Sequence, residues 1–300
     1  MFRIAHSPLY NHPLPAGHRF PMEKYDLIPQ QLLYEGTVEQ NWFFAPEDLG
    51  LETIELAHDS AYIDKLKNGL ATPKEMRKIG FPYSRLLFER EVCIMYGTVQ
   101  SAMFALDNGI AFNIAGGTHH AYADKGEGFC LFNDNAIAAK YLLREGKAKG
   151  ILIVDLDVHQ GNGTAAIFHG SEKVFTFSMH GRNNYPLHKE QSHLDIELED
   201  GTDDLTYINI LENALPKLID LHKPDFIFYQ SGVDILATDK LGRMSLTRDG
   251  VKERDKIVLQ TAHRHGIPLT ASMGGGYSAN IIDIVEAHCN LYRIAKELYC

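Results

Sequence analysis

Asp155, Asp157 and His159 stand two residues apart in the stretch ILIVDLDVHQGNGT at 151–164. In an extended chain that period turns all three side chains to one face. Two carboxylates and an imidazole so placed are the makings of a metal site. A catalytic zinc takes about three protein ligands and keeps one position open. Asp157 and His159 supply two, and Asp234, in S-G-V-D at 231–234, is the natural third. Taken alone, the D-x-D reads as caps on a following turn and Asp234 as an ordinary loop or helix-capping acid; His159 in register brings the metal reading level. A binuclear hydrolase would need a second acid beside Asp234, but Ile235, Leu236 and Ala237 follow it, which argues for one metal.

His119 and His120 follow Gly116-Gly117-Thr118. Adjacent residues in an irregular loop can both face one pocket. Near a metal-bound water, two imidazoles can act as a general base and an electrostatic partner. Each needs an acceptor for its other nitrogen, which Asp155 and Asn162 can provide. In Met273-Gly274-Gly275-Gly276-Tyr277 the glycines let the backbone approach a ligand, and the phenol can donate to a developing oxyanion. The same loop lacks the Lys and Ser/Thr of a phosphate-binding sequence.

These groups must be carried by strand ends. The aliphatic run at 151–154, between Gly150 and the Gly161/Gly163 break, suits a strand buried on both faces of a parallel sheet. Further strands are expected at 2–5, 110–115, 173–179, 226–230 and 267–272. Helices are expected at 23–34, 52–67, 84–106, 135–144, 164–168, 205–221, 251–264 and 281–298. The alternation predicts an α/β fold, a three-layer αβα arrangement with a mainly parallel central sheet. Its strand C-termini share one edge, which puts the polar loops after five strands on one rim. With no repeat, low-complexity tract or linker, residues 1–300 read as one domain.

At 300 residues and 45% hydrophobic, the chain can bury a large core. Its net charge of -10, with no basic run, argues against nucleic-acid binding and is compatible with cationic substrates. Cys93, Cys130, Cys289 and Cys300 form no C-x-x-C pair, which suits a reduced cytosolic protein without a cysteine zinc site. The start, MFRIAHSPLY, has no basic region before an apolar run, and no segment reaches membrane-spanning length. A soluble, cytoplasmic protein is expected.

Together these residues resemble the zinc-dependent histone deacetylase family of the arginase–deacetylase fold. The matching stretches, in the family's order, are G-G-T-H-H (116–120), G-F-C-L-F-N-D (128–134), D-L-D-V-H-Q-G-N-G (155–163), F-S-M-H (177–180), S-G-V-D (231–234) and G-G-G-Y (274–277). H-P-x-x-x-x-H-R at 12–19 is similar to the family's start. The Q-G-N-G form and the short, insertion-free length resemble the class IV branch and its bacterial relatives most.

The resemblance implies that Asp157, His159 and Asp234 bind zinc, with Fe²⁺ a chemically admissible substitute. It makes His120 the general base and later acid, His119 its electrostatic neighbour oriented by Asp155, and Tyr277 the donor to the substrate carbonyl. Phe129 and Tyr185 would flank an acyl-lysine tunnel, with Gly117 and Gly275 on its wall and Leu241 at its rim. Arg19 would belong to an internal acetate-release cavity. A potassium ion would sit on Asp155 and Ser178 with backbone carbonyls of Asp157, His159 and Met179, and a second near Phe168, Ser171 and Val174. Class I members often carry Asp at position 162, so Asn162 is expected to leave a His120 imidazolium less stabilised. Residues 80–84, G-F-P-Y-S, offer no acid to grip a peptide backbone.

The sequence therefore reads as a metal-dependent hydrolase removing acetyl or longer acyl groups from Nε-acyl-lysine. Small acetylated amines such as acetylpolyamines are the alternative substrates. A non-catalytic acyl-lysine-binding scaffold is the alternative of another class, which has no use for the full set of ligands, both histidines and Tyr277.

Overall fold

A computed structural model describes residues 1–300. In chain order its elements are β1 (Arg3–Ala5), α1 (Lys24–Tyr34), β2 (Phe43–Phe44), α2 (Ser60–Lys67), α3 (Pro73–Ile79), α4 (Arg85–Asn108), β3 (Ile110–Asn113) and α5 (Asp134–Arg144). Then come β4 (Ile151–Asp155), α6 (Asn162–Ile167), β5 (Val174–Gly181), β6 (Leu194–Leu198), α7 (Asp204–His222), β7 (Phe226–Gln230), α8 (Arg248–His265), β8 (Leu269–Ser272) and α9 (Ile281–Tyr299).

The strands form one sheet in the order β2-β1-β3-β8-β7-β4-β5-β6, and every pairing is parallel. Helices cover both faces. Accordingly β3, β4, β7 and β8 are buried at every residue, which is why β4 and β7 open on unbroken apolar runs. The edge strands β2 and β6 are only partly covered, and their mixed sequences (FF and LDIEL) gave no strand signal. Parallel order also sends all strand C-termini to one edge, so the loops after β3, β4, β5, β7 and β8 meet there.

Two other elements depart from the sequence reading. The helix expected at 52–67 is broken: a 3-10 turn covers Leu51–Leu56 and α2 starts at Ser60. Between them His58 is buried and its Nε2 accepts the Asn133 N–H (2.9 Å), which diverts the chain toward the site. Helix α3 was not expected, yet Thr72 and Glu75 close a capping box over Pro73 at its first position.

Candidate active site

Asp157, His159 and Asp234 converge from the loops after β4 and β7, all buried, with their ligand atoms within 4.8 Å of one another. His159 Nδ1 lies 3.1 Å from Asp157 Oδ1 and 3.0 Å from Asp234 Oδ2. Backbone N–H groups pin the carboxylates: Val158 donates to Asp234 Oδ1 and Gly275 to Asp157 Oδ2, each at 2.9 Å. Glycines make the room, since a Cβ at Gly232 would overlap Asp157 Oδ2 and one at Gly275 would overlap Asp234 Oδ2.

Burial and the charge of Asp157 push Asp234 up to about 7. Burial opposes a charge on His159, but the hydrogen bonds and charges of Asp157 and Asp234 prevail and raise it to about 10. The cluster is short of positive charge, and its O, N, O donor set could hold a divalent cation in place of the proton.

Asp155 is not part of that cluster. The expected alternation of 155, 157 and 159 ends with the strand, whose last residue is Asp155. The chain then turns, with the Asp157 N–H donating to Asp155 Oδ1 (3.2 Å). Asp155 Oδ2 instead accepts His119 Nδ1–H at 2.7 Å. His120 Nδ1–H donates to Asn162 Oδ1, also at 2.7 Å, and the two imidazole centroids are 4.2 Å apart. Burial disfavours charge on both rings. At His119 the charges of Asp155 and Asp157 overcome it and raise the ring to about 9. At His120 the charges of His119 and His159 add to it, and the ring falls well below its ordinary value. The pair is a cationic His119 beside a neutral His120 with a free Nε2 lone pair.

Asn162 itself brings no charge to His120, but it leads to a group that does. Asn162 Nδ2 donates to Glu127 Oε1 at 2.6 Å, so a carboxylate stands one hydrogen bond further out. Burial raises the Glu127 carboxyl, but hydrogen bonds from Lys78, Tyr185 and Asn162 outweigh it and hold the group below its ordinary value, ionised at neutral pH. Its negative charge favours protonated His120. Glu127→Gln should therefore move the acid limb of kcat/KM to lower pH; a limb that stays put would show that Glu127 does not act on His120.

Above these groups opens a cleft of about 320 Å³ lined by Arg19, Lys78, Gly128, Phe129, Tyr185 and Leu241, with His120, His159 and Tyr277 at its floor. Below lies a space of about 30 Å³, bordered by Gly117, Gly275, Phe20 and Arg90 among others. Phe129, Tyr185 and Leu241 line this cleft, and Gly117 and Gly275 border the inner space. Arg19 is a correction: it is exposed at the mouth, its guanidinium carbon 4.9 Å from the Phe129 ring centroid. The buried guanidinium at the inner space is that of Arg90, paired with Glu91. Phe129 holds a positive φ of 68°, stabilised by its N–H to Ile79 O (2.6 Å) and by ring contacts with Phe20 and Phe81. Ser178 is the register partner of Asp155, shares a hydrogen bond of 2.9 Å with His180 Nδ1, and precedes the fully buried Met179.

Several supporting residues escaped sequence reading. Asn133 Nδ2 donates to Thr164 Oγ1 (2.9 Å) and Ala121 O (3.2 Å), and Asp134 accepts from Thr98, Thr118 and Ser272, which locks the histidine loop to its neighbours. Gln230 Nε2 donates to Gly117 O at 2.8 Å. Lys24, fully buried, donates to Gly274 O at 3.0 Å; burial lowers it to about 8 against the pull of Asp234 and Asp157. Arg254, also fully buried, donates to the carbonyls of Leu156, Ser231 and Gly232 and pairs with Asp255 at 2.7 Å. It ties the loops that carry Asp157, His159 and Asp234 together. Arg254→Met strands Asp255 and three carbonyls in the interior and should cost about 3–5 kcal/mol in urea unfolding; a loss below about 1 kcal/mol would contradict that role.

Comparison with known proteins agrees with this arrangement. The family model described as "Histone deacetylase domain" matches residues 18–291. An uncharacterized protein of Picosynechococcus sp. is 42% identical over 298 residues, covering 99% of each chain. Histone deacetylase 2 of Arabidopsis thaliana is 29% identical over 283 residues, covering 90% of this chain and 73% of its own. The crystal structure of an HDAC homolog complexed with SAHA superimposes with a TM-score of 0.83 at 23% identity, covering 97% of this chain and 82% of that one.

Proposed function

Because this chain belongs to the histone deacetylase family and is a deacetylase hydrolase, we propose that it removes acetyl groups from Nε-acetyl-lysine in a zinc-dependent reaction. The observation that carries the proposal is the meeting of the Asp157–His159–Asp234 cluster, the His119–His120 pair and Tyr277 at the floor of one cleft. Asp157, His159 and Asp234 would hold zinc, which would supply Lewis-acid polarisation of the amide and a water of lowered pKa, and Fe²⁺ would suit the same donors.

The chain's own residues do the rest. Neutral His120 takes the proton of the attacking water at Nε2 and returns it to the leaving amine. Cationic His119, held by Asp155, favours the negative charge that develops beside it. Tyr277, whose phenol burial keeps well above its ordinary pKa, donates to the carbonyl oxygen. Phe129 and Tyr185 flank the lysyl stem, Leu241 meets it at the rim, and Gly117 and Gly275 wall the acyl end. The inner space of about 30 Å³ admits a methyl group or a water or two, which favours acetyl over fatty acyl. Asp155 and its register partner Ser178, with backbone carbonyls of Asp157, His159 and Met179, would hold a potassium ion. Q-G-N-G at 160–163 supports a place in class IV, and a chain with no helix able to cross a membrane suits a cytoplasmic enzyme.

The test is hydrolysis of matched acetyl-lysine and myristoyl-lysine peptides by metal-loaded protein, read by mass spectrometry. Acetyl removal that stops on chelation and returns with zinc is expected. Preferential demyristoylation would replace acetyl with fatty acyl in this reading, and turnover of neither peptide would reject it.

A further inference from the structure

The cleft mouth carries charge of one sign. Its only fixed charges are Arg19 and Lys78, in a chain whose net charge is -10. Lys78, 57% exposed along its side chain, pairs with Glu127 at 2.8 Å, but that carboxylate is buried and its other oxygen is taken by Asn162 and Tyr185. Asp239, behind Leu241, is likewise consumed by the N–H groups of Tyr277, Leu241 and Gly242. Arg19 has no ion pair at all. Its guanidinium stacks over Phe129, a contact that fixes the planar group while leaving its N–H donors unused.

A mouth built for polyamines would present carboxylates, and this one presents none. We infer that the mouth selects acylated amines that bear a carboxylate about one lysyl side chain from the scissile amide, with Arg19 as the anchor and Lys78 as the second cation. The inference rests on the hydrolase reading above and names its substrate class. It also departs from the expectation, drawn from net charge alone, that cationic substrates suit this protein: the unpaired charge at the mouth is the Arg19 guanidinium. Such a carboxylate belongs either to free Nε-acetyl-lysine or to an acidic residue flanking acetyl-lysine in a peptide.

Five substrates test it on the zinc-loaded enzyme: Nα-blocked Nε-acetyl-lysine with a free carboxylate, its carboxamide, acetyl-lysine peptides flanked by Asp or by Asn, and N-acetylspermidine. A carboxylate-to-carboxamide ratio of kcat/KM of about five to ten is expected, shrinking with added salt. The ratio should fall toward one in Arg19→Met, invert in Arg19→Glu, and be partly kept in Arg19→Lys. A preference carried by the Asp over the Asn peptide identifies an acidic protein segment, and one confined to the amino acid identifies the free carboxylate; either supports the inference. A ratio near one in the wild type, a ratio unmoved by Arg19→Met, or N-acetylspermidine as the best substrate overturns it alone. No turnover of any of the five overturns it together with the hydrolase reading.

Discussion

Tyr277→Phe is expected to lower kcat on an acetyl-lysine peptide by about 10²–10³-fold with little change in fold or metal content. The ring sits between the outer cleft and the inner space, 6.3 Å from the His159 ring and 5.9 Å from Phe129, centroid to centroid. Its backbone N–H is fixed by Asp239 Oδ2 at 2.6 Å, so the side chain leaves a rigid point. Its hydroxyl has no partner within the protein, and Phe fills the same volume, so the substitution removes a donor and little else. Burial pushes the phenol well above its ordinary pKa, so it is protonated at neutral pH. A donor that meets the carbonyl oxygen most strongly as charge develops acts on kcat more than on KM. A variant keeping more than about a third of wild-type kcat would remove Tyr277 from the reaction.

How far the sequence carries this argument depends on the kind of residue. Ile151–Asp155 and Phe226–Gln230 are legible because a strand buried on both faces must be apolar throughout. Asp157, His159 and Asp234 are legible because a metal needs few residue types, and such residues at the ends of apolar runs stand out. Glu127, Asn133, Asp134 and Arg254 are not legible in that way. Each acts through hydrogen bonds to segments far away in the chain, and no local period or spacing records a contact between positions 127 and 162 or 254 and 156. Arg19 shows the converse limit: its place in a motif suggested an inner cavity, while the path of the backbone leaves its side chain at the mouth and brings Arg90 from α4 to the inside. The edge strand β6 was missed because half-covered strands keep polar residues, and β2 because two residues carry no pattern.

Gly275→Ala is expected to disturb Asp157 and Asp234 together. The backbone at Gly275 has no positive φ, so alanine is conformationally acceptable and only space is at issue. Its Cβ would overlap Asp234 Oδ2, stand 2.8 Å from Asp234 Cγ and 2.9 Å from Asp157 Oδ2. Neither carboxylate can step aside cheaply. Asp234 Oδ1 is held by the Val158 N–H, and Asp157 Oδ2 by the N–H of Gly275 itself. The loop cannot retreat either, because Gly275 O accepts the Val233 N–H at 2.8 Å. One or both ligands must therefore leave their places, and displaced or poorly supported ligands lower metal affinity by about 10–100-fold. The expected result is a folded protein with depleted zinc after dialysis and hydrolysis down by at least that factor. Gly150→Ala supplies the control, since nothing lies within 4 Å of a Cβ there and its φ is ordinary. Zinc is measured per mole of protein together with the unfolding midpoint of both variants. Full zinc occupancy and activity in Gly275→Ala would mean that the Asp157–Asp234 pair tolerates rearrangement, and that the close glycine packing around it does not set the ligand geometry.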